Sequence, residues 1–149
     1  MTTKVSSTVW NGVTKAIFET ATITAGAPAA TTNFDVSTQA VQYYTSASAN
    51  SFVINLRGDG TTTLESIMLI GQSTTVAMLV NCSNIAHYLT GFRIDSNASG
   101  SNGYSFISRW QGGATASAGS LSSIDIYTIN IIKTNTKTYT ILASQTRFA

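Results

Sequence analysis

Charged side chains are scarce in this chain. Lys, Arg, Asp and Glu together make up 9% of the 149 residues, whereas about a quarter of an ordinary soluble domain is charged. Eight basic and six acidic residues leave a net charge of +2, and the basic residues form no run. Nucleic-acid-binding proteins usually concentrate their basic residues in one patch. The composition therefore argues against a nucleic-acid partner, and it leaves few groups for acid–base, metal or phosphate chemistry.

Cysteine and histidine each occur once, as Cys82 and His87. A lone cysteine excludes an intramolecular disulfide, and we expect Cys82 to be a small buried thiol. One Cys and one His cannot supply the three or four ligands of a zinc site. His87 lies within a predicted strand, where a structural role is favoured over catalysis, and the chain has no Gly-x-Ser-x-Gly elbow to present a serine. We therefore predict that the protein is not an enzyme and has no catalytic residue, metal or cofactor.

Long apolar runs are also missing. No stretch approaches the roughly 20 apolar residues of a membrane span, and residues 1–10 lack the apolar run of a signal peptide. We therefore expect that the protein is synthesised in a cytoplasm and does not insert into a membrane.

Alternation of apolar and polar residues, in contrast, recurs along most of the chain. This period of two predicts half-buried β-strands, and Thr, Val, Ile, Tyr and Phe fill these segments, as sheets prefer. A helical turn is predicted only over residues 64–70, and residues 134–136 suit a hairpin loop. The predicted strands are residues 14–24, 40–45, 51–57, 72–81, 85–95, 103–110, 123–133 and 137–143.

This succession of short strands predicts an all-β domain over residues 14–149. Eight or nine strands with a turn about every ten residues favour a β-sandwich or jelly-roll-like antiparallel fold, and an up-and-down barrel is the alternative. Residues 1–13 are interpreted either as an N-terminal arm that docks on a neighbouring subunit or as an edge strand. No internal repeat is evident in the sequence.

Six acidic residues are the remaining candidates for chemistry. A glycosidase needs two carboxyl groups facing each other across a cleft; none is paired by local spacing, and a long-range pair stays open. Residues 95–100 imitate the start of a calcium loop, but Phe106 stands where the bidentate glutamate belongs. A loop rich in Asn and Gly is favoured, and calcium at Asp95 is left open. The acids are Glu19, Asp35, Asp59, Glu65, Asp95 and Asp125.

Three further features suggest binding rather than catalysis. Arg57-Gly58-Asp59 spells an integrin-binding tripeptide, but a turn after a strand explains the same residues. The loop 96–103 is the best place for a variable binding surface. The large aromatic side chains can stack on sugars, although most alternate with apolar residues and are expected in the core or a subunit interface. They are Trp10, Trp110, Tyr43, Tyr44, Tyr88, Tyr104, Tyr127 and Tyr139.

Five segments stand out in order along the chain: 71–80 (GQSTTVAMLV), 86–95 (AHYLTGFRID), 109–113 (RWQGG), 123–134 (SIDIYTINIIKT) and 139–149 (YTILASQTRFA). Together they resemble a module of tailed-bacteriophage virion proteins, common in phages of aquatic bacteria. The resemblance covers roughly residues 40–149. It implies a non-enzymatic structural protein of the virion, synthesised in the host cytoplasm.

The module occurs both in tail fibres and in small virion proteins, so two functions follow from the resemblance. Because the module nearly fills the chain, a capsid decoration or cement protein that stabilises the head is favoured. The alternative is a tail-fibre or receptor-binding module that recognises a host-surface glycan or protein. The expected partners are other copies of the chain, as a dimer or trimer, and the major capsid protein or tail proteins. A polysaccharide hydrolase has the least support.

Overall fold

A computed structural model describes residues 19–148 of the protein. Within that range there are nine strands, one short α-helix and a 3₁₀ turn. The predicted arm at residues 1–13 lies outside the described residues, as does the first part of the predicted strand 14–24. The elements are β1 (Ala21–Thr24), β2 (Thr31–Asp35), β3 (Val41–Tyr44), β4 (Phe52–Arg57), α1 (Leu64–Ile67), β5 (Ser73–Cys82), β6 (Leu89–Ile94), β7 (Ser105–Trp110), the 3₁₀ turn Gln111–Gly113, β8 (Ser123–Asn135) and β9 (Thr138–Phe148).

The strands form two sheets, and the β-rich class is confirmed. The large sheet has the order β1-β3-β5-β8-β9-β7 and the small sheet the order β2-β4-β6. The predicted antiparallel pairing is wrong for five of the seven strand pairs among the described residues. The small sheet is entirely parallel, and in the large sheet only the β5–β8 and β8–β9 pairs are antiparallel.

Parallel pairing arises because the first six strands alternate between the sheets. β1, β3 and β5 stack in parallel in the large sheet while β2, β4 and β6 stack in the small sheet. Parallel neighbours cannot be joined by a hairpin, so each connection passes through the other sheet. The three strand pairs form a geometric repeat that is not evident in the sequence, and the segment holding α1 separates the second pair from the third.

The final hairpin, β8–β9, extends the large sheet in the antiparallel sense. Its turn lies at Thr136 and Lys137, slightly after the predicted loop 134–136. Lys137 adopts a left-handed φ of 49°, which closes the turn. β7 then pairs in parallel with β9 and forms one edge of the large sheet.

One hydrophobic cluster draws on both sheets. Inward-facing side chains of the small sheet, such as Phe52 and Ile54, and of the large sheet, such as Met78 and Ile129, are all buried. The rings of Phe52 and Tyr127 meet edge to face with centroids 5.8 Å apart. The Tyr127 hydroxyl also accepts a hydrogen bond from Leu89 N at 3.2 Å. The core thus lies where the two sheets meet.

Two local predictions need correction. β2 was not predicted, because Phe34 is the single large apolar residue of its sequence TTNFD; its parallel register with β4 specifies the strand. The predicted strand 85–95 begins only at Leu89, so His87 lies in a loop.

Within the described residues, no helix is long and apolar enough to span a membrane.

Candidate interaction surface

Nucleophilic catalysis would pair the Cys82 thiol with the His87 ring, but the thiol contacts only the backbone carbonyl oxygen of His87, at 3.7 Å. Cys82 ends β5 and is buried, as predicted, and its Sγ lies 3.4 Å from Asp125 Oδ2. Burial, reinforced by the Asp125 charge, raises the pKa of Cys82 to about 12, so the reactive thiolate is scarce at neutral pH. The His87 ring instead places Nδ1 2.7 Å from the carbonyl oxygen of Ser48.

Glu65 and Lys133 form an ion pair where α1 meets the β8–β9 hairpin. Lys133 Nζ lies 3.0 Å from Glu65 Oε1 and donates to the carbonyl oxygens of Glu65 and Met68, both at 2.7 Å. The Tyr139 hydroxyl donates to Glu65 Oε2 at 2.5 Å. Burial alone would raise the pKa of Glu65, but the hydrogen bonds from Tyr139 and Lys133 outweigh it and lower that pKa. The cluster therefore fastens α1 to the hairpin.

Asp125 is the most deeply buried carboxylate of the chain, with no exposed surface. Its Oδ2 accepts from Gln145 Nε2 at 2.9 Å and from Ser120 N at 3.2 Å, and Tyr127 OH lies 3.4 Å away. These bonds tie the loop before β8 and strand β9 to the core. The other oxygen, Oδ1, is buried without a hydrogen-bond partner, so the bonds to Oδ2 alone offset the burial of this group. We interpret Asp125 as a structural group.

Asp95, the residue left open for calcium, caps α1 from a distant part of the chain. Its Oδ1 accepts from Leu64 N at 2.6 Å, and its Oδ2 accepts from Glu65 N and from the Tyr104 hydroxyl, both at 3.1 Å. Among residues 19–148, no group of three or more His, Cys, Asp or Glu side chains is arranged to hold a metal ion.

The Arg57-Gly58-Asp59 tripeptide lies at the end of β4 and in the turn that follows it, and all three residues make contacts within this region. Arg57 Nε donates to Asp35 Oδ1 at 2.5 Å, and Asp59 Oδ1 accepts from Thr61 N at 2.7 Å. This backbone bond and the Thr61 hydroxyl lower the pKa of Asp59 to about 2. A Cβ on Gly58 would stand 2.6 Å from the carbonyl oxygen of Thr62. The turn's own packing thus accounts for all three residues.

The outward-facing side of the large sheet is a different kind of surface, which we call the large-sheet face. It comprises the outward-facing residues of β1, β3, β5, β8, β9 and β7. One ladder row crosses five strands as Ile23, Tyr43, Leu79, Ile126 and Thr146. Burial alternates along these strands, so these side chains point away from the core. Ile23 is 70% exposed.

The neighbouring row of the large-sheet face carries only small and β-branched residues: Ala21, Val41, Ala77, Thr128 and Ser144. The three shorter rows mix aliphatic, aromatic, hydroxyl and amide side chains. They are Asn81, Ile124 and Phe148; then Thr75, Asn130, Leu142 and Arg109; then Ser73, Ile132, Thr140 and Ile107. Among the described residues, Arg109 on edge strand β7 is the one charged side chain in these rows. The Asn130 amide is itself hydrogen-bonded to Thr75 Oγ1 at 2.8 Å.

The outward side of the small sheet, the small-sheet face, is charged and internally paired. Asp35, Arg57 and Arg93 alternate with polar residues along its three strands. Asp35 and Arg57 form an ion pair, and Arg93 Nη1 donates to the Ser96 carbonyl oxygen at 3.2 Å. Charge therefore distinguishes the two outer faces of the same molecule.

A polar groove of about 420 Å³ lies beside the 3₁₀ turn. Half-buried Trp110 lines it with Gln111, Gln145 and Arg147. The Trp110 ring packs against Phe92, with centroids 5.8 Å apart. Of the other candidate aromatics, Tyr44, Tyr104, Tyr127 and Tyr139 are buried, as expected for core residues; Trp10 lies outside the described residues.

The large-sheet face was not predicted, although its signal was present in the sequence. In the predicted strands 72–81 and 137–143, alternation puts Val76, Met78 and Val80, and then Tyr139 and Ile141, on one face, and these residues are buried. The outward positions hold no Lys, Glu or Asp, which an ordinary solvated face would carry. What the sequence did not contain was the strand order, which brings these positions side by side.

Comparison with known proteins finds no matching family model, curated protein or solved structure.

Proposed function

We propose that this chain is a non-enzymatic structural protein of a tailed-bacteriophage particle, located in the virion, where it decorates and stabilises the head through subunit contacts. The observation that carries the proposal is the large-sheet face, a six-stranded surface with a single charged side chain. The resemblance of five chain segments to a virion module supports the phage assignment. We also propose that the two sheets form a sandwich, since one hydrophobic cluster contains side chains from both.

The large-sheet face suits subunit contacts because of the free-energy cost of removing polar groups from water. Burying an unpaired charge is far more costly than burying a hydroxyl or an amide that finds a hydrogen-bond partner. The large-sheet face offers Thr, Ser and Asn between aliphatic residues, so it can be covered at little electrostatic cost. Half-buried Glu65 and Asp95 and buried Asp125, by contrast, each accept hydrogen bonds from protein donors. These features therefore favour binding to other protein subunits over catalysis.

A receptor-binding module of a tail fibre is the second candidate, and the groove at Trp110 favours it. Aromatic rings present an apolar face to a sugar, and Gln and Arg side chains supply planar hydrogen-bonding groups for hydroxyls. Trp110, Gln111 and Arg147 combine these features in one groove. A host-surface glycan is the ligand class that fits it.

The copy number of the protein in purified phage particles separates these functions. Quantitative mass spectrometry gives its ratio to the major capsid protein. A decoration protein occurs at a ratio near one or at a simple fraction of it, as symmetric assembly requires. A ratio roughly tenfold or more lower supports the tail-fibre function instead. Absence from the particle would overturn both.

A further inference from the structure

We propose that the large-sheet face is covered by a second copy of this chain, packed face to face about a two-fold axis. This inference deepens the proposed function, on which it rests, because it names the partner of the surface used for association. It is carried by the size of the face, by its lack of charge and by the self-complementary chemistry of its side chains.

The size of the face matches what a stable dimer needs. β5, β8 and β9 contribute 10, 13 and 11 residues, and β1, β3 and β7 extend the sheet on both sides. With strands about 4.8 Å apart and about 3.3 Å per residue, one side of this sheet covers roughly 750 Å². Each partner in a standard interface buries about 800 Å². A second copy covering the whole face would supply that area.

The charge pattern fits a copy of the same chain. In a two-fold interface each residue meets the same surface of its partner, so charge at the centre would face like charge. The centre of the large-sheet face has none, and Arg109 lies on edge strand β7, where the rim of an interface keeps contact with water. The small-sheet face, with Asp35, Arg57 and Arg93, lacks this property.

The hydroxyl groups are equally suited to self-association. A Thr or Ser hydroxyl both donates and accepts a hydrogen bond, so rows that carry Thr128, Ser144 and Thr146 can satisfy identical rows of a partner. Ile23, Leu79 and Ile126 supply the apolar contacts between them. Two sheets of this kind pack about 10 Å apart, as in a sandwich.

Light scattering coupled to size-exclusion chromatography tests the inference on the full chain. The chain mass is 15.7 kDa, and we expect the wild-type protein to elute with twice that mass. Thr128→Lys places a charge at the centre of the face in both copies, and we expect it to raise the dimer Kd at least about a hundredfold. Ser144→Lys, on the next strand of the same row, should act likewise.

Thr31→Lys is the matched control, because Thr31 is exposed on strand β2 of the small-sheet face. It should leave the dimer intact. Circular dichroism of each variant separates loss of dimer from loss of fold. A monomeric wild-type protein, a trimer, or a dimer unaffected by both face variants would overturn the inference.

Other occupants of the face give different results. A monomer that becomes an oligomer when residues 1–18 are deleted would assign the face to that segment. A monomer that joins phage particles through the face would assign it to a particle protein, and the proposed function would stand. A dimer that never enters the particle would leave the two-fold interface in place and overturn the function.

Discussion

At the scale of single residues, the buried charge of Lys133 is compensated by a specific set of protein groups. Only 5% of the residue is exposed, and its ammonium group meets two carbonyl oxygens and the Glu65 carboxylate. Removing one partner of a buried ion pair leaves an uncompensated charge in a poorly solvated site. We therefore infer that Lys133 contributes to the free energy of unfolding.

We predict that Lys133→Met lowers the free energy of unfolding by about 3–5 kcal/mol, the range for breaking a buried pair. The reason is that half-buried Glu65, with 20% of its side chain exposed, loses its counter-ion. Urea unfolding followed by circular dichroism measures the change.

Lys137→Met is the control for this substitution. Lys137 Nζ lies 5.2 Å from the centre of the Tyr104 ring and bonds to an exposed carbonyl oxygen, so the control should cost only about 1 kcal/mol or less. Equal losses for the two variants would contradict the role assigned to Lys133.

Gly119 gives a second prediction at the residue scale. A Cβ at this position would stand 2.3 Å from the carbonyl oxygen of His87, so Gly119→Ala must displace backbone. We expect it to lower the melting temperature clearly, with a loss of about 1–3 kcal/mol typical of overpacking.

Gly91→Ala, where no atom lies within 4 Å of the added Cβ, serves as the matched control. It should be neutral or stabilise by up to about 1 kcal/mol, because it reduces the freedom of the unfolded chain. Differential scanning fluorimetry compares the two, and an undisturbed Gly119→Ala would show that the loop can move away.

At the scale of elements, α1 is a four-residue helix held by groups outside it. Thr63 caps it locally by accepting from Ser66 N at 3.1 Å, and Asp95 caps it from the end of β6. A helix this short is marginal by itself, so its position depends on these bonds and on the Lys133–Glu65 pair.

We predict that Asp95→Ala costs more stability than Thr63→Ala. Losing hydrogen bonds to a charged group costs about 1.5–3 kcal/mol each, and Asp95 also connects α1 to Tyr104. Loss of an N-cap hydroxyl costs about 1 kcal/mol. Unfolding free energies and the rate of proteolysis at residues 59–72 measure both variants; the reverse order would contradict the long-range cap.

The elements also show which parts of the fold the sequence could predict. Strong alternation predicted β5 and β8, because each buries one face. Pairing direction was missed, because antiparallel and parallel strands share the same period of two. β2 was missed because tertiary pairing, rather than apolar content, makes TTNFD a strand. The large-sheet face was missed because it depends on the order of strands in the sheet, which is also set by tertiary pairing.

At the scale of the whole molecule, the pKa shifts predict how stability depends on pH. Burial, followed by the Asp95 charge, raises the pKa of Tyr104 to about 12, and Cys82 is raised to a similar value. A raised pKa means that the folded state holds its proton where the unfolded state has lost it. Stability is therefore complete below the unfolded values of 10.0 for Tyr and 9.0 for Cys and is lost as pH rises towards 12.

We predict that the free energy of unfolding falls between pH 9 and pH 12, and that Tyr104→Phe makes this fall shallower, because the titrating hydroxyl is gone. Glu65, whose pKa is lowered from 4.5, adds a loss on the acid side: its contribution is present above 4.5 and disappears as pH falls through the folded value. Urea unfolding at pH 3, 7, 9 and 11 measures both limbs. A profile that is flat from pH 7 to pH 11 would contradict the alkaline part.

The role of the large-sheet face in association can be measured on whole phage particles. Phage particles assembled without the protein are mixed with wild type, Thr128→Lys or Thr31→Lys, and bound copies are counted by quantitative mass spectrometry. We expect Thr31→Lys to bind at the wild-type level and Thr128→Lys to be largely absent from the particles. Wild-type occupancy by Thr128→Lys would contradict the role of the large-sheet face, and so would an equal loss of both variants.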